Sequence, residues 1–244
     1  MTTMRRPVAV AGGVPVMGPP RFPQDASQDV FGDVLDDAGP VVLNAHARRA
    51  SAQVFAPLAR TLLRLGVTPN AVTVFGTVGT VVAALACYPF GLLFPGSVVI
   101  TVFVLSDMVD GTMARMSGRT TTWGAFLDST LDRVGDAAIF GGLIWWFTRG
   151  GDDPLLAAVA LFCLVAAMVI SYVKARAEGL GLTCDVGIAE RSDRLLAILV
   201  VTGLSGLGVP YVMAVGLWLL AAASAFTVWQ RMAEVHRQLS AGRA

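Results

Sequence analysis

The sequence predicts an all-α integral membrane protein: six transmembrane helices preceded by an amphipathic interfacial helix, with both termini cytoplasmic. Three observations carry that expectation. The 244 residues are 55% hydrophobic and only 14% charged, with a mean hydropathy of +0.67, whereas a soluble domain carries roughly a quarter charged residues. Six apolar segments follow one another at about 70–90, 94–116, 122–148, 154–178, 193–208 and 210–231, most of them near the roughly 20 residues a span requires. The arginines sort by side. Arg48, Arg49, Arg60 and Arg64 precede the first segment, and Arg115 and Arg119 lie between the second and third. Lys174, Arg176, Arg191 and Arg194 lie between the fourth and fifth, and Arg231, Arg237 and Arg243 follow the sixth, while the alternate loops hold only Arg149. The positive-inside rule then puts both ends in the cytoplasm.

Taken in order, residues 1–41 are rich in Gly, Pro and Asp without a sustained period, and read as a disordered arm. Arg5 and Arg6 precede a short apolar run that Gly12, Gly13 and Pro15 interrupt, so a signal peptide is not expected. Residues 42–236 form the membrane domain, and 237–244 a cytoplasmic tail. Within the domain, 44–65 is a juxtamembrane helix: Val54, Leu58, Leu62 and Leu65 recur at helical spacing against Arg48, Arg49, Arg60 and Arg64. That pattern suits a membrane surface, and equally an ordinary packed helix. The fifth segment is short and interrupted by "GLSGLG". Cys87, Cys163 and Cys184 have no zinc or CxxC spacing. The net charge of +1 marks no partner, and no nucleic acid is expected.

The chemistry concentrates after the second segment, in "DMVDGTMAR". Asp107, Asp110, Gly111, Ala114 and Arg115 share one helix face. After a small polar turn, Gly124, Asp128, Asp132 and Asp136 repeat every four residues on the next helix. Two antiparallel helices joined by a short loop bring Asp107, Asp110, Asp128 and Asp132 together at the cytoplasmic boundary, with Gly111, Ala114 and Gly124 allowing close backbone approach. Four carboxylates so placed repel and raise one another's pKa values. Hard divalent cations resolve the conflict: Mg²⁺ prefers carboxylate oxygen and keeps positions open for phosphate, and a metal pair clamps an in-line phosphoryl displacement. Arg115 suits phosphate oxygens. The plainer alternative is an ion-pair network with Arg115 and Arg133, which two arginines leave unbalanced against four aspartates.

The order D-x-x-D-G-x-x-A-R, eight residues, then G-x-x-x-D-x-x-x-D is matched without departure at Asp107, Asp110, Gly111, Ala114, Arg115, Gly124, Asp128 and Asp132. It resembles the signature of the CDP-alcohol phosphatidyltransferases. That resemblance implies a six-helix membrane enzyme, usually a homodimer, with two Mg²⁺ (or Mn²⁺) held by the four aspartates. Asp132 would also take the acceptor's proton as its hydroxyl attacks the β-phosphorus of a CDP-linked lipid and CMP leaves. It further implies that Gly111 permits close approach of the cytidine, and that Arg115 and Thr121 contact the nucleotide diphosphate. Over roughly residues 42–235, through "LLRLGVTPNAVT", "GAFLDSTLDR", "SYVKARAEGLG" and "ERSDRL", the chain resembles one branch of that family, the actinobacterial phosphatidylinositol phosphate synthases. In that branch the segment matching Asn70, Ala71, Val72 and Thr73 binds the CDP moiety. The donor would be CDP-diacylglycerol, the acceptor L-myo-inositol 1-phosphate, and the site a plasma-membrane face open to the cytoplasm.

A phosphorylated acceptor has independent support. Lys174 and Arg176 end the fourth segment, Arg191 and Arg194 begin the fifth, and Arg231 ends the sixth. These can converge on the carboxylate mouth and hold a dianion, or serve only as topology-setting residues at the headgroups. Lys174 is the sole lysine, a compact ammonium in a chain that otherwise uses arginine. A glycerol 3-phosphate acceptor is the nearest alternative. Two other classes compete less well. "GLSG" at Gly203–Gly206 has the form of an intramembrane serine protease motif, but His46 and His236, the only histidines, lie outside the segments. A cation transporter predicts mid-membrane carboxylates and internal repeats, and neither is found.

Overall fold

The computed structural model describes residues 55–118, 121–188 and 190–242, except for the side chain of Asp107. The expected arm, and the juxtamembrane helix before residue 55, lie outside the described residues. All described residues belong to one compact unit, and it is helical throughout, with no strand among the described residues.

Helix α1 is described over 55–64. It ends in a glycine cap: Gly66 has φ +77°, its N–H donates to Leu63 O at 3.1 Å, and Val67 N–H donates to Leu62 O at 3.0 Å. These two bonds satisfy carbonyls that the helix end would otherwise orphan. Thr68 then caps α2 (Pro69–Cys87), its hydroxyl accepting from Ala71 N–H at 3.3 Å with Pro69 in the first turn. Phe55, Ala59, Leu62 and Leu63 of α1 pack against Val72, Val109 and Met113. Leu58 and Leu65 point outward. The buried stripe is therefore offset from the Leu58–Leu65 line that periodicity suggests, because apolarity alone does not distinguish a core-facing from a lipid-facing side.

After the 3₁₀ turn Tyr88–Phe90, α3 (Leu93–Val104) and α4 (Ser106–Ser117) replace the single expected span. The break falls at Leu105, where the Ser106 hydroxyl donates to Phe103 O at 2.5 Å and Met108 N–H reaches back only three residues, to Leu105 O. A serine that bonds the backbone of its own turn offers the chain an alternative to the regular ladder. Next come α5 (Thr122–Arg149), α6 (Pro154–Glu178), α7 (Arg191–Gly206) and α8 (Val212–Ala241). Helix α8 runs ten residues past the expected end of the sixth segment at 231 and takes up most of the expected tail.

Four units are long and apolar enough to cross a membrane: Pro69–Phe90, Leu93–Ser117, Pro154–Glu178 and Val212–Ala241. The protein is membrane-embedded. Helix α5 has the length but carries Asp128, Asp132, Arg133 and Asp136 toward its N-terminal end, and α7 has only 16 residues.

Six helices close into a ring in which each touches two neighbours, in the order α2, α3, α7, α8, α6, α5 and back to α2. Helix α4 lies on α2 at one end of it. The ring interior holds Tyr88, Ile100, Ile139, Leu143, Phe147, Ile198 and Leu217, all nearly inaccessible. The Tyr88 hydroxyl lies 3.0 Å from Ser97 Oγ, so this buried polar group is satisfied between α2 and α3. Glycines set the closest approaches. A Cβ on Gly142 of α5 would stand 2.8 Å from the Ala84 carbonyl oxygen of α2, and one on Gly206 of α7 would stand 2.3 Å from Phe94 N.

The adjacent glycines of α5 give a direct test of that packing. Gly142→Ala is expected to cost about 1–3 kcal/mol through overpacking and to lower the midpoint of thermal unfolding in detergent. Gly141→Ala, whose Cβ meets nothing within 4 Å, should leave the midpoint unchanged or slightly raised.

Candidate active site

Helix α2 is the platform of the site, since α4 and α5 both pack on it. One cavity of about 340 Å³ opens between these three helices and the start of α7. Its wall is built from Pro69, Asn70 and Thr73 of α2, Asp110, Gly111, Ala114 and Arg115 of α4, and Gly124, Ala125, Asp128 and Asp132 of α5, with Thr121 and Arg191 completing it. Seven of the eight signature positions thus share one cavity; the eighth, Asp107, has its backbone in α4 and its side chain outside the described residues.

Local sequence explains the placement. Thr121 is the N-cap of α5, and its hydroxyl accepts from Gly124 N–H at 3.0 Å. A Cβ on Gly124 would lie 3.1 Å from that hydroxyl and 3.2 Å from Asn70 Oδ1, so a side chain here would crowd both groups and take room from the cavity. Gly111 faces open space, its nearest prospective neighbour being Arg115 Nη1 at 3.6 Å. The small residues therefore keep the cavity wide. The expectation that they bring the two carboxylate helices into backbone contact is replaced by one in which both helices lean on α2.

The carboxylates are held individually. Thr73 Oγ1 donates to Asp110 Oδ2 at 2.5 Å, so a buried aspartate on α4 is oriented from α2. Asp132 Oδ1 lies 2.8 Å from Arg191 Nη1, and Arg191 Nε lies 3.4 Å from Asp136 Oδ1. Arg133 flanks the same pair, at 3.6 Å from Asp132 and 3.9 Å from Asp136. Arg115 Nη2 donates to Thr112 Oγ1 at 3.2 Å, which steadies the guanidinium beside the cavity.

The remaining candidates divide. Of the stretch Asn70–Thr73, only Asn70 and Thr73, one turn apart, reach the cavity; Ala71 is exposed on another face and Val72 is buried against Val109 and Met113. Of the four cations expected to hold the acceptor, Arg191 alone lines the cavity. Lys174 pairs with Asp185 and, at 3.8 Å, with Glu178. Arg231 is buried and donates to Ile170 O at 2.7 Å and Val186 O at 2.9 Å. Arg194 is buried within electrostatic reach of Asp136, Arg133, Arg231 and Arg191. Lys174 and Arg231 both act electrostatically on Cys184; of the four cations, Arg191 is the one at the cavity wall.

The segment from Thr183 to Ile188, which leads to Arg191, is held by α8, a contact that periodicity had not revealed. Gln238 Oε1 accepts from Thr183 N–H at 3.2 Å and its Nε2 donates to Thr183 O at 2.7 Å, while Gln230 Oε1 accepts from Ile188 N–H at 3.2 Å. Gly187, at φ +142°, fits where a Cβ would come within 2.7 Å of Thr227 Cγ2. The hydrogen bonds among these contacts join residues 42 to 55 positions apart, a separation no local pattern records. Asp136 was visible in the sequence as the next step of the four-residue repeat, but its arginine partner on α7 was not.

Comparison with known proteins agrees with this geometry. The family model for CDP-alcohol phosphatidyltransferase matches residues 66–229. The chain belongs to the CDP-alcohol phosphatidyltransferase family. Among relatives in it, the chain is 48% identical over 207 residues to the phosphatidylinositol phosphate synthase of Streptomyces avermitilis, covering 82% of this chain and 85% of that one. It is 50% identical over 189 residues to the synthase of Mycobacterium marinum, covering 76% and 81%. A crystal structure of the Mycobacterium tuberculosis phosphatidylinositol phosphate synthase with CDP-DAG bound superposes with a TM-score of 0.72 at 47% identity, over 75% of this chain and 94% of that one. The same enzyme in complex with manganese and citrate gives 0.72 and 47%, over 74% and 88%.

The donor set suits hard divalent ions, being carboxylate oxygens on the wall of one cavity. Among the described residues no three of them already converge on a single point, and Asp132 is engaged by Arg191.

The α5 cap is open to a simple check. Thr121→Ala removes the acceptor for Gly124 N–H and should cost about 1 kcal/mol, as for other N-caps. Thr121→Ser should retain the wild-type midpoint of thermal unfolding.

Proposed function

We propose that this protein transfers the phosphatidyl group of CDP-diacylglycerol to inositol 1-phosphate, giving phosphatidylinositol phosphate and CMP. The observation that carries the proposal is the single cavity on which Asp110, Asp128, Asp132, Arg115 and Arg191 meet, in a chain nearly half identical to synthases of that name. Asp107, Asp110, Asp128 and Asp132 would hold two Mg²⁺ or Mn²⁺. When bound, these ions neutralise charge on the diphosphate and on the displacement transition state.

The chain's own residues do the rest. Thr73 keeps Asp110 turned toward the cavity. Asn70, Thr73, Arg115 and Thr121 line the wall where the CDP group would lie, with Val72 packed behind them and Ala71 exposed on the same turn. Gly111 and Gly124 leave the space that the nucleotide fills. Asp132 accepts the proton of the acceptor hydroxyl. The new bond joins that oxygen to the β-phosphorus, the bond from this phosphorus to the bridging oxygen breaks, and CMP departs with the electron pair. Arg191 stands at the wall for the acceptor's phosphate, with Arg194 one turn along the same helix and Arg231 and Lys174 adding positive charge farther off. The lipid tails remain in the bilayer.

The same reading extends to topology. We take α5 and α7 as spans alongside the four apolar units, giving six, with both termini and the carboxylate cavity on the cytoplasmic face of the plasma membrane. The arginine distribution supports this assignment. At about 1.5 Å per residue, the 16 residues of α7 extend about 24 Å, which a locally thin bilayer or flanking polar residues accommodate. Helix α1 would lie at the interface, and the protein would function as a homodimer.

CMP release by the purified protein, with CDP-diacylglycerol and Mg²⁺, should require inositol 1-phosphate, with glycerol 3-phosphate and free inositol giving little. EDTA should abolish it and Mn²⁺ restore it. Asp132→Asn should lower kcat by at least about a hundredfold, with the folded protein recovered normally. Preference for glycerol 3-phosphate would retain the chemistry and overturn the acceptor.

Topology is checked by labelling. In a background lacking Cys87, Cys163 and Cys184, an impermeant thiol reagent applied to intact cells should label a cysteine placed at Gly151. It should not label one placed at Gly118.

A further inference from the structure

The Arg191 guanidinium bridges two aspartates of α5, and the two differ in depth. Its Nη1 is 2.8 Å from Asp132 and its Nε is 3.4 Å from Asp136. The Asp132 side chain is 17% exposed and lines the cavity, whereas that of Asp136 is 6% exposed and lies one turn farther in. Arg191 comes from a different helix, α7, whose first turn is fixed by reciprocal capping between Glu190 and Asp193. A guanidinium in this position can lean toward either carboxylate with a small change of rotamer, because its fork presents donors in two directions.

We propose that Arg191 is a resident counter-cation of the metal site, a positioning residue that pairs with Asp132 before a divalent ion arrives and withdraws onto Asp136 when the ion takes Asp132. The proposal rests on the two-metal reading above. It answers a problem which that reading creates. Several carboxylates around one cavity repel strongly when no ion is bound, yet a permanent arginine on a ligand would compete with the metal. Asp136 eases the conflict by offering the displaced guanidinium a carboxylate, which Arg133 flanks as well, so that loading the site does not leave the half-buried Arg191 without an anion. The aspartate outside the family signature thereby acquires a role, exerted through Arg191.

The test is a Mn²⁺ titration of detergent-purified protein without substrate, reading free Mn²⁺ by its electron paramagnetic resonance signal. Removing the competitor in Arg191→Gln should tighten Mn²⁺ binding about tenfold, since a unit charge a few ångströms from the site is lost. Removing the alternative seat in Asp136→Asn should weaken it about threefold, because Arg191 then stays on Asp132. The deciding measurement is the double variant. If Asp136 acts through Arg191, Asp136→Asn should have no effect in the Arg191→Gln background. An equal weakening in both backgrounds would mean that Asp136 contributes only general negative charge, and would overturn the proposal. So would unchanged or weaker binding in Arg191→Gln.

Should Arg191→Gln not be recovered folded, Arg191→Lys replaces it. A compact ammonium keeps the charge but does not bridge both carboxylates, so the Asp136→Asn effect should shrink there; an undiminished effect would refute the idea. Wild-type protein that binds no Mn²⁺, or binding that Asp128→Asn leaves intact, would instead overturn the two-metal reading, and this proposal with it.

Discussion

Repulsion among carboxylates gathered at the edge of an apolar bundle is the constraint around which this protein is arranged. An aspartate in such surroundings either neutralises or finds a cation and hydrogen-bond donors. The described members of the group are accommodated in three ways. Asp110 takes the Thr73 hydroxyl from a neighbouring helix, and Asp132 and Asp136 share Arg191 and Arg133. Asp128 lies on the wall of the open cavity. The proposed divalent ions complete a compensation that the side chains begin.

The fold supplies this arrangement by using α2 as a common support. Packing α4 and α5 on α2, instead of on each other, leaves a cavity where a simple helical hairpin would leave a seam. Glycines then have two distinct uses. Gly142 and Gly206 permit backbone contact inside the ring, which in lipid must come from van der Waals fit. Gly111 and Gly124 hold space open at the cavity. One residue type thus serves both the tightest and the emptiest parts of the molecule.

On the other side of the cavity, the cations depend on α8. Arg231 spends its donors on the carbonyls of Ile170 and Val186, and with Gln230 and Gln238 it holds the segment that leads to Arg191. Residues that read as a set of phosphate ligands therefore fall into at least two kinds: Arg191, which faces the cavity, and Arg231, which secures the chain that delivers it. A cation on the wall of a carboxylate cavity suits an acceptor that carries its own negative charge.

The sequence by itself determined the helical class, the borders of most apolar segments and the carboxylate signature. All of these are local: helix length, four-residue spacing and capping residues act within a few turns, and the family resemblance is carried by eight such positions. Tertiary structure decided what locality does not contain. The buried face of α1 depends on where Val72 and Met113 lie. Thr73 reaches Asp110 across 37 residues and Arg231 reaches Ile170 across 61. Which arginines meet a carboxylate and which meet a carbonyl is set by how the ring closes, and that closure is a property of six helices together.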